Sequence, residues 1–439
     1  MENSEELLKN QRDLGTTETY GQSDQLNNIA LNQKLVLFTL GLCLFVDIMG
    51  YSMVLPLLPS FATNLGASPF TIGLIISMNA IVTMIFSPLW GKLSDKVGRI
   101  IPLIISQIGT VISFILLAFS SNITLIFVSR ILDGIFGGQA PIVNAYFSDV
   151  TNDRDRHKKM GLLFFGVSLG IIIGPAIGGL LGNINWAIPC LLAALFGTGS
   201  IFLTKKYLPE NNTRNELINH NPPIRPTQQK KLLKSELSEK RKIFILILSE
   251  IFFVNFAFSI INSSLPVYLD IRFDVSADQI GILYTLIGIE MMIFSLLIFK
   301  RLIGKFGEKR IFLFANIGMI CSFIIFPYLD RFWMIYLFMF FNIFFIMSIK
   351  PIIQLRLAKK IPSSSQGSIN GWAVNSKYLP KIFAPLITTY YLEIEFLGRI
   401  NSYFLIGLTS AIIGIMLLAL FLLDSGLDKK KSKNESSQI

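Results

Sequence analysis

The chain has 439 residues, 52% of them hydrophobic and only 15% charged. A soluble protein carries roughly 25% charged residues, and a mean hydropathy of +0.58 makes lipid the solvent for most of this chain. The net charge of +11 comes from basic residues scattered over short segments, which argues against a nucleic-acid surface.

Residues 1–33 are polar and lack the apolar run of a cleavable leader, so they read as a disordered cytoplasmic tail. Twelve apolar stretches near the length that crosses a bilayer core follow. They fall at approximately 35–59, 71–90, 101–119, 123–148, 160–182 and 184–204, then 243–268, 279–299, 311–328, 332–355, 366–392 and 400–423. The widest gap, 205–242, holds "NPPIRPTQQ" and then "KKLLKSELSEKRK". The second piece reads either as an amphipathic helix on the membrane surface or as a solvated linker. Residues 425–439 read as another disordered cytoplasmic tail. The expected fold is an all-α polytopic membrane protein, with six-helix bundles over 34–204 and 243–424 joined by the 205–242 linker.

Lysine and arginine set the orientation. Thirty-two of the 39 lie in segments on the N-terminal side of the membrane, and only Arg272, Arg331 and Arg399 lie in loops on the other. The positive-inside bias places both termini in the cytoplasm. Cys43, Cys190 and Cys321 lie in apolar spans with no pairing pattern, and both histidines, His157 and His220, lie in cytoplasmic loops. No disulfide, metal site or cofactor is expected. An intramembrane serine protease needs a buried histidine and a zinc protease an HExxH pair, so no enzyme is expected either.

The two halves repeat. Gly98 matches Gly307 at an offset of 209, and "IG" at 72–73 matches "IG" at 280–281 at 208. Pro56, Pro141 and Pro175 match Pro266, Pro351 and Pro385 at 210. Prolines within spans kink helices, so shared positions predict shared helix shapes. Two repeats related in this way suit a transporter whose halves rock around a central site.

Between spans 2 and 3 stands "GKLSDKVGR", residues 91–99, with a worn copy, "LIGKFGEKR", at 302–310. Gly91, Leu93, Asp95, Lys96, Gly98 and Arg99 resemble the signature loop of the major facilitator superfamily, departing only at Ile100. Span 5 carries "GIIIGPAIGG", with Gly170, Gly174, Pro175, Gly178 and Gly179. This reads as a small-residue packing face, and the complete pattern resembles the antiporter motif of the drug–proton exporters in that superfamily. "RILDGIFGGQAPIVNAYFSD" in span 4 and "DIMGYSMVLPLLP" in span 1 are similar to the same branch, with Asp133 where a glutamine is usual. The resemblance covers 35–423. It implies a 12-span bacterial inner-membrane transporter, functional as a monomer. Its partners would be a small-molecule substrate, protons and the bilayer, with the proton gradient as energy source.

Asp47, Arg130, Asp133, Glu250, Glu290, Lys350, Lys377 and Lys381 lie within spans, where a charge costs roughly 2.5–3.5 kcal/mol. They occupy only spans 1, 4, 7, 8, 10 and 11, which line or border the central cavity in that family. A desolvated carboxylate can bind a proton on one side and release it on the other, so Asp47 or Asp133 is expected to carry the coupling proton. Arg130, one turn from Asp133, would tune it; the alternative is a purely structural Arg130–Asp133 pair. Glu250, Glu290, Lys350, Lys377 and Lys381 form either a salt-bridged pocket wall or a surplus-positive site for an anionic group. The expected function is proton-coupled export of a small organic molecule such as a drug, antibiotic or carboxylate siderophore. An importer of a small organic anion and a non-transporting scaffold are the alternatives.

The resemblance makes Asp95, with Gly91, Lys96, Gly98 and Arg99, a breakable latch near the start of span 11, where a helix N-terminus favours a carboxylate. The second copy has Gly304 opposite Asp95. In a transport assay, Asp95→Asn is therefore expected to impair uptake far more than Gly304→Ala; equal tolerance would reduce the loop to a plain turn.

Overall fold

The structure is a computed structural model that describes residues 34–151, 156–209, 226–360, 366–396 and 402–436, without the side chains of 156–158, 226–242, 358, 360, 366–373, 395–396 and 425–436. In lipid every backbone N–H and C=O must be satisfied within its own segment, and the described residues are almost entirely helical. The first half comprises α1 (Lys34–Val54), α2 (Pro69–Val97), α3 (Ile100–Ala118), α4 (Ile123–Val150), α5 (Arg156–Gly182) and α6 (Ala187–Tyr207). The second comprises α7 (Pro226–Phe273), α8 (Ala277–Phe306), α9 (Glu308–Ile325), α10 (Phe332–Lys360), α11 (Gln366–Phe396) and α12 (Ser402–Ser436). Among the described residues, eleven of these contain a stretch long and apolar enough to cross a membrane. The twelfth, α11, carries Lys377, Lys381, Pro380 and Pro385.

Each helix overlaps a predicted stretch; α1, α6, α9 and α12 fall short of it at one end, and most run past it at the other. Hydropathy marks the hydrocarbon core, whereas the helix continues into the headgroup layer: the 29 residues of α2 span about 43 Å against a core of about 30 Å. Two expectations change for this reason. The tail after 424 continues α12 as helix to Ser436. The "KKLLKSELSEKRK" segment is helical and continuous with α7, so it is neither a loose linker nor a separate surface helix. The tail at 1–33 and most of the proline-rich stretch lie outside the described residues.

Packing inverts the soluble pattern. On α3, Ile101, Ile105, Ile108, Ile112 and Ile115 are exposed at helical spacing, while Ser106, Gln107, Thr110 and Ser113 are buried. The apolar face meets lipid and the polar face meets protein, because only the bundle interior offers hydrogen-bond partners. On α6, α9 and α12, Leu195, Phe314 and Ile415 are likewise exposed.

The repeat holds at the loops and loosens at two prolines. Gly98 and Gly307 both have positive φ, +96° and +77°, and each ends the preceding helix in a conformation that L side chains avoid. Pro266 and Pro351, however, sit inside unbroken α7 and α10. Their counterparts accompany breaks. Near Pro56 the chain turns and re-forms as a short helix, Leu58–Asn64; near Pro141, α4 is interrupted at Gly137–Gly138. The first copy adds Pro59 and the Gly137–Gly138 pair where the second has Leu269 and Met347–Ser348. At these two positions the break coincides with the added helix breaker, whereas the lone proline of the second copy leaves the helix continuous.

One buried cluster secures the second bundle. The Arg356 guanidinium donates to both Glu250 oxygens, at 3.1 and 3.0 Å, and pairs with Asp424. Both carboxylates have no exposed surface, and the Phe421 ring lies 4.5 Å from the guanidinium carbon. The cluster ties α7, α10 and α12 together. Arg356→Met would remove the guanidinium that both buried carboxylates share, a loss of about 3–5 kcal/mol. A clear drop in the melting temperature of the purified protein is expected, and an unchanged one would show the cluster to be dispensable.

Candidate functional site: two helix crossings and the charged residues behind them

The halves meet through α5 on α8 and α2 on α11, and the repeat explains both pairs. A Cβ built on Gly281 of α8 would lie 2.6 Å from the Pro175 carbonyl oxygen of α5, and one on Gly73 of α2 would lie 2.9 Å from the Pro385 carbonyl oxygen of α11. Gly73 and Gly281 are repeat mates, as are Pro175 and Pro385. Each crossing is therefore the pseudo-twofold image of the other. Gly281 also packs on Gly179, and Gly73 on Thr389, the counterpart of Gly179.

The span 5 motif has two faces. Gly170, Gly174 and Gly178, with Gly166 one turn earlier, lie against the backbone of α1: built Cβ atoms would stand 2.9 Å from the Phe45 oxygen, 2.7 Å from the Met49 oxygen and 2.9 Å from the Met53 carbonyl carbon. Ser52 Oγ donates to the Gly170 oxygen at 2.8 Å. Pro175 and Gly179 face α8 instead. Thus α5 is clamped to its own bundle on one face and touches the other bundle on the next.

All these crossings lie toward the end of the molecule that carries Gly182 and Pro69. There Ser60 donates to Asp270 at 3.0 Å and the Phe70 amide to Glu393 at 3.1 Å, both across the halves. Ser77 Oγ adds a bond to the Ile382 oxygen at 2.8 Å. That end is shut by backbone-level contact.

Behind it, mid-membrane, two walls differ in charge. In the first bundle, Asp133 accepts from Asn79 of α2 at 3.0 Å and from Arg130 at 3.4 Å; Asn79 also donates to the Arg130 oxygen. The expected Arg130–Asp133 pair is thus present and braced, while Arg130 Nε and Nη2 have no hydrogen-bond partner. Asp47, half-buried on α1, accepts from Gln139 of α4 at 2.9 Å, and no cation pairs with it among the described residues. Its carboxylate lies within electrostatic reach of Asp133. Beside it a small void inside the bundle is lined by Gln107, Thr110, Gln139 and Ser200.

In the second bundle, Lys350 of α10 sits 3.5 Å from the Phe258 ring of α7 and feels the charges of Lys381 and Lys377. Thr388, two turns beyond Lys381 on the same face of α11, lies 3.4 Å from Ser263 of α7; Lys350 and Lys377 are half-buried and Lys381 is exposed. The expected carboxylate partners are elsewhere. Glu250 is held by Arg356, and the buried Glu290 Oε1 has no hydrogen-bond partner.

At the opposite end, Arg99 ties its own bundle together, donating to Asp95 at 2.7 Å, Asp149 at 2.8 Å and Ser94 at 2.9 Å. Lys96 is exposed. The side chains at the start of α11, where the latch would close, lie outside the described residues. Sequence reasoning missed Asn79, Gln139, Arg356 and Asp424. Asn79 and Gln139 are polar residues on cavity-side helices, a signal that attention to charge alone passes over.

A sequence model of the Major Facilitator Superfamily matches residues 40–385 and 251–438. The tetracycline resistance protein, class H, of Pasteurella multocida is 25% identical over 81% of this chain and 88% of its own. Multidrug resistance protein 1 of Bacillus subtilis is 29% identical over 62% of this chain and 68% of its own. A solved bacterial homolog of the human lysosomal transporter Spinster, in an inward-facing and unoccupied conformation, superposes with a TM-score of 0.70. It has 14% identity and covers 90% of this chain and 97% of its own.

Because backbone atoms face Gly281, no side chain there can retreat. Gly281→Val is expected to hold the crossing apart and cut transport roughly tenfold, with membrane insertion and helix content retained by circular dichroism. Wild-type transport would show that the crossing need not close.

Proposed function

This chain belongs to the Major Facilitator Superfamily, and we propose that it exports small organic molecules by alternating access, driven by protons entering the cell. The single observation that carries the reading is the pair of symmetric crossings at one end, with unlike charged walls behind them. A repeat-related pair of contacts can close either end of a central site in turn. With the cytoplasmic termini expected from the basic residues, the shut end faces outward and the site would load from the cytoplasm. The tetracycline and multidrug resistance proteins among the relatives support export over import.

We assign the coupling proton to Asp47. Asp133 is fixed by Arg130 and Asn79, an ion pair whose disruption is costly. Asp47 has a hydrogen bond from Gln139 but no cation, so it is the carboxylate that can take up and lose a proton without breaking an ion pair. When access switches, the same group would meet the other solution, and substrate and proton would alternate. Gln139 orients the carboxylate.

Everted membrane vesicles made acid inside are expected to accumulate compounds from a panel of tetracyclines and quinolones, and right-side-out vesicles are not. Asp47→Asn is expected to abolish gradient-driven uptake, whereas Asp133→Asn should lower the melting temperature as well. Full gradient-driven uptake by Asp47→Asn would contradict the assignment, and accumulation only in right-side-out vesicles would reverse the direction.

A further inference from the structure

We propose that the wall formed by α7, α10 and α11 is a binding site for an organic anion bearing two or three carboxylates, held by Lys350, Lys377 and Lys381. The proposal deepens the transport reading and rests on it for the cavity that the wall faces. Three observations converge. The three ammonium groups lie within one another's electrostatic reach. No carboxylate pairs with any of them among the described residues, since Glu250 is committed to Arg356 and Glu290 Oε1 has no hydrogen-bond partner. And Lys377 and Lys381 share a face of α11 with Thr388, which meets Ser263 of α7, while Lys381 itself is exposed and so open to a ligand.

Like charges gathered in a membrane without a counter-ion are costly, so a counter-ion from outside would repay that cost on binding. The spacing sets its valence. Lys377 and Lys381 are one turn apart on one face, about 5–6 Å between Cβ atoms, and Lys350 approaches from the adjacent helix. A single carboxylate engages one or two of these groups, whereas a di- or tricarboxylate engages all three. Phe258 beneath Lys350 and Tyr378 beside Lys381 (ring centroid 5.2 Å from Nζ) give the carbon skeleton an aromatic floor. The same field repels a lipophilic cation, which adds discrimination against that class.

The test is equilibrium binding to the purified full-length protein by calorimetry, using benzoate, phthalate and trimesate, with tetraphenylphosphonium as the opposite charge. Affinity is expected to rise about tenfold with each added carboxylate. Lys350→Gln and Lys381→Gln should each weaken trimesate binding about tenfold while changing benzoate little. Trimesate should also raise the melting temperature of the wild type, and the variants should melt no lower than wild type without ligand because repulsion is relieved. Affinity independent of carboxylate number, binding unaffected by the lysine substitutions, preference for tetraphenylphosphonium, or no carboxylate binding at all would each overturn the proposal. Binding needs no gradient, which separates the two readings. Trimesate binding without any coupled transport would sink the transport reading alone; coupled transport of a cation without carboxylate binding would sink this one alone.

Discussion

The structure depends on the close approach of backbone to backbone at two helix crossings. Membrane helices gain nothing from burying apolar groups in one another rather than in lipid, so association relies on van der Waals contact and polar bonds. Glycine gives the closest approach, and here it is placed in symmetric pairs. Gly73 meets Pro385 and Thr389, and Gly281 meets Pro175 and Gly179. Each half supplies one small surface and one proline-bearing surface, so the halves close on each other like two copies of a single part. Such contacts have little side-chain interlock to undo, which suits surfaces that must separate and meet again.

Around that joint the halves have taken different work. The first bundle is the more rigid: α5 is clamped to α1 along four glycines, Asp133 is braced by Arg130 and Asn79, and Arg99 bolts the far loop to Asp95 and Asp149. Within this frame Asp47 stands without a cation. The second bundle gathers Glu250, Arg356 and Asp424 in a buried cluster, while Lys350, Lys377 and Lys381 have no carboxylate partner among the described residues. Acidic residues inside one half are thus matched by lysines inside the other. Proton binding on one wall and substrate binding on the other would then be linked through closure of the same joint, without direct contact between the two ligands.

The sequence shows the joint more clearly than the walls. The offsets linking Gly73 to Gly281 and Pro175 to Pro385 single out the residues that touch, because a repeat preserves the positions where the two copies meet. It does not show which helix each glycine faces, since one motif serves α1 with Gly170, Gly174 and Gly178 and α8 with Gly179. Shared prolines mislead about shape, because whether a helix bends or breaks depends on neighbours such as Pro59 and Gly137–Gly138. Pairing among charges is least legible. Glu250, Arg356 and Asp424 are far apart in the chain, and the last two lie just past the apolar runs, so composition assigns them to loops.

The central claim is that the two ends of the molecule open in alternation about these crossings. Pulsed electron resonance between spin labels tests it directly, with one pair replacing Asn183 and Ser276 at the shut end and another replacing Lys92 and Lys305 at the opposite end. All four positions are exposed. As pH is lowered or trimesate is added, the account predicts that one distance lengthens while the other shortens. Two distances that rise and fall together, or that stay fixed under every condition, would contradict it.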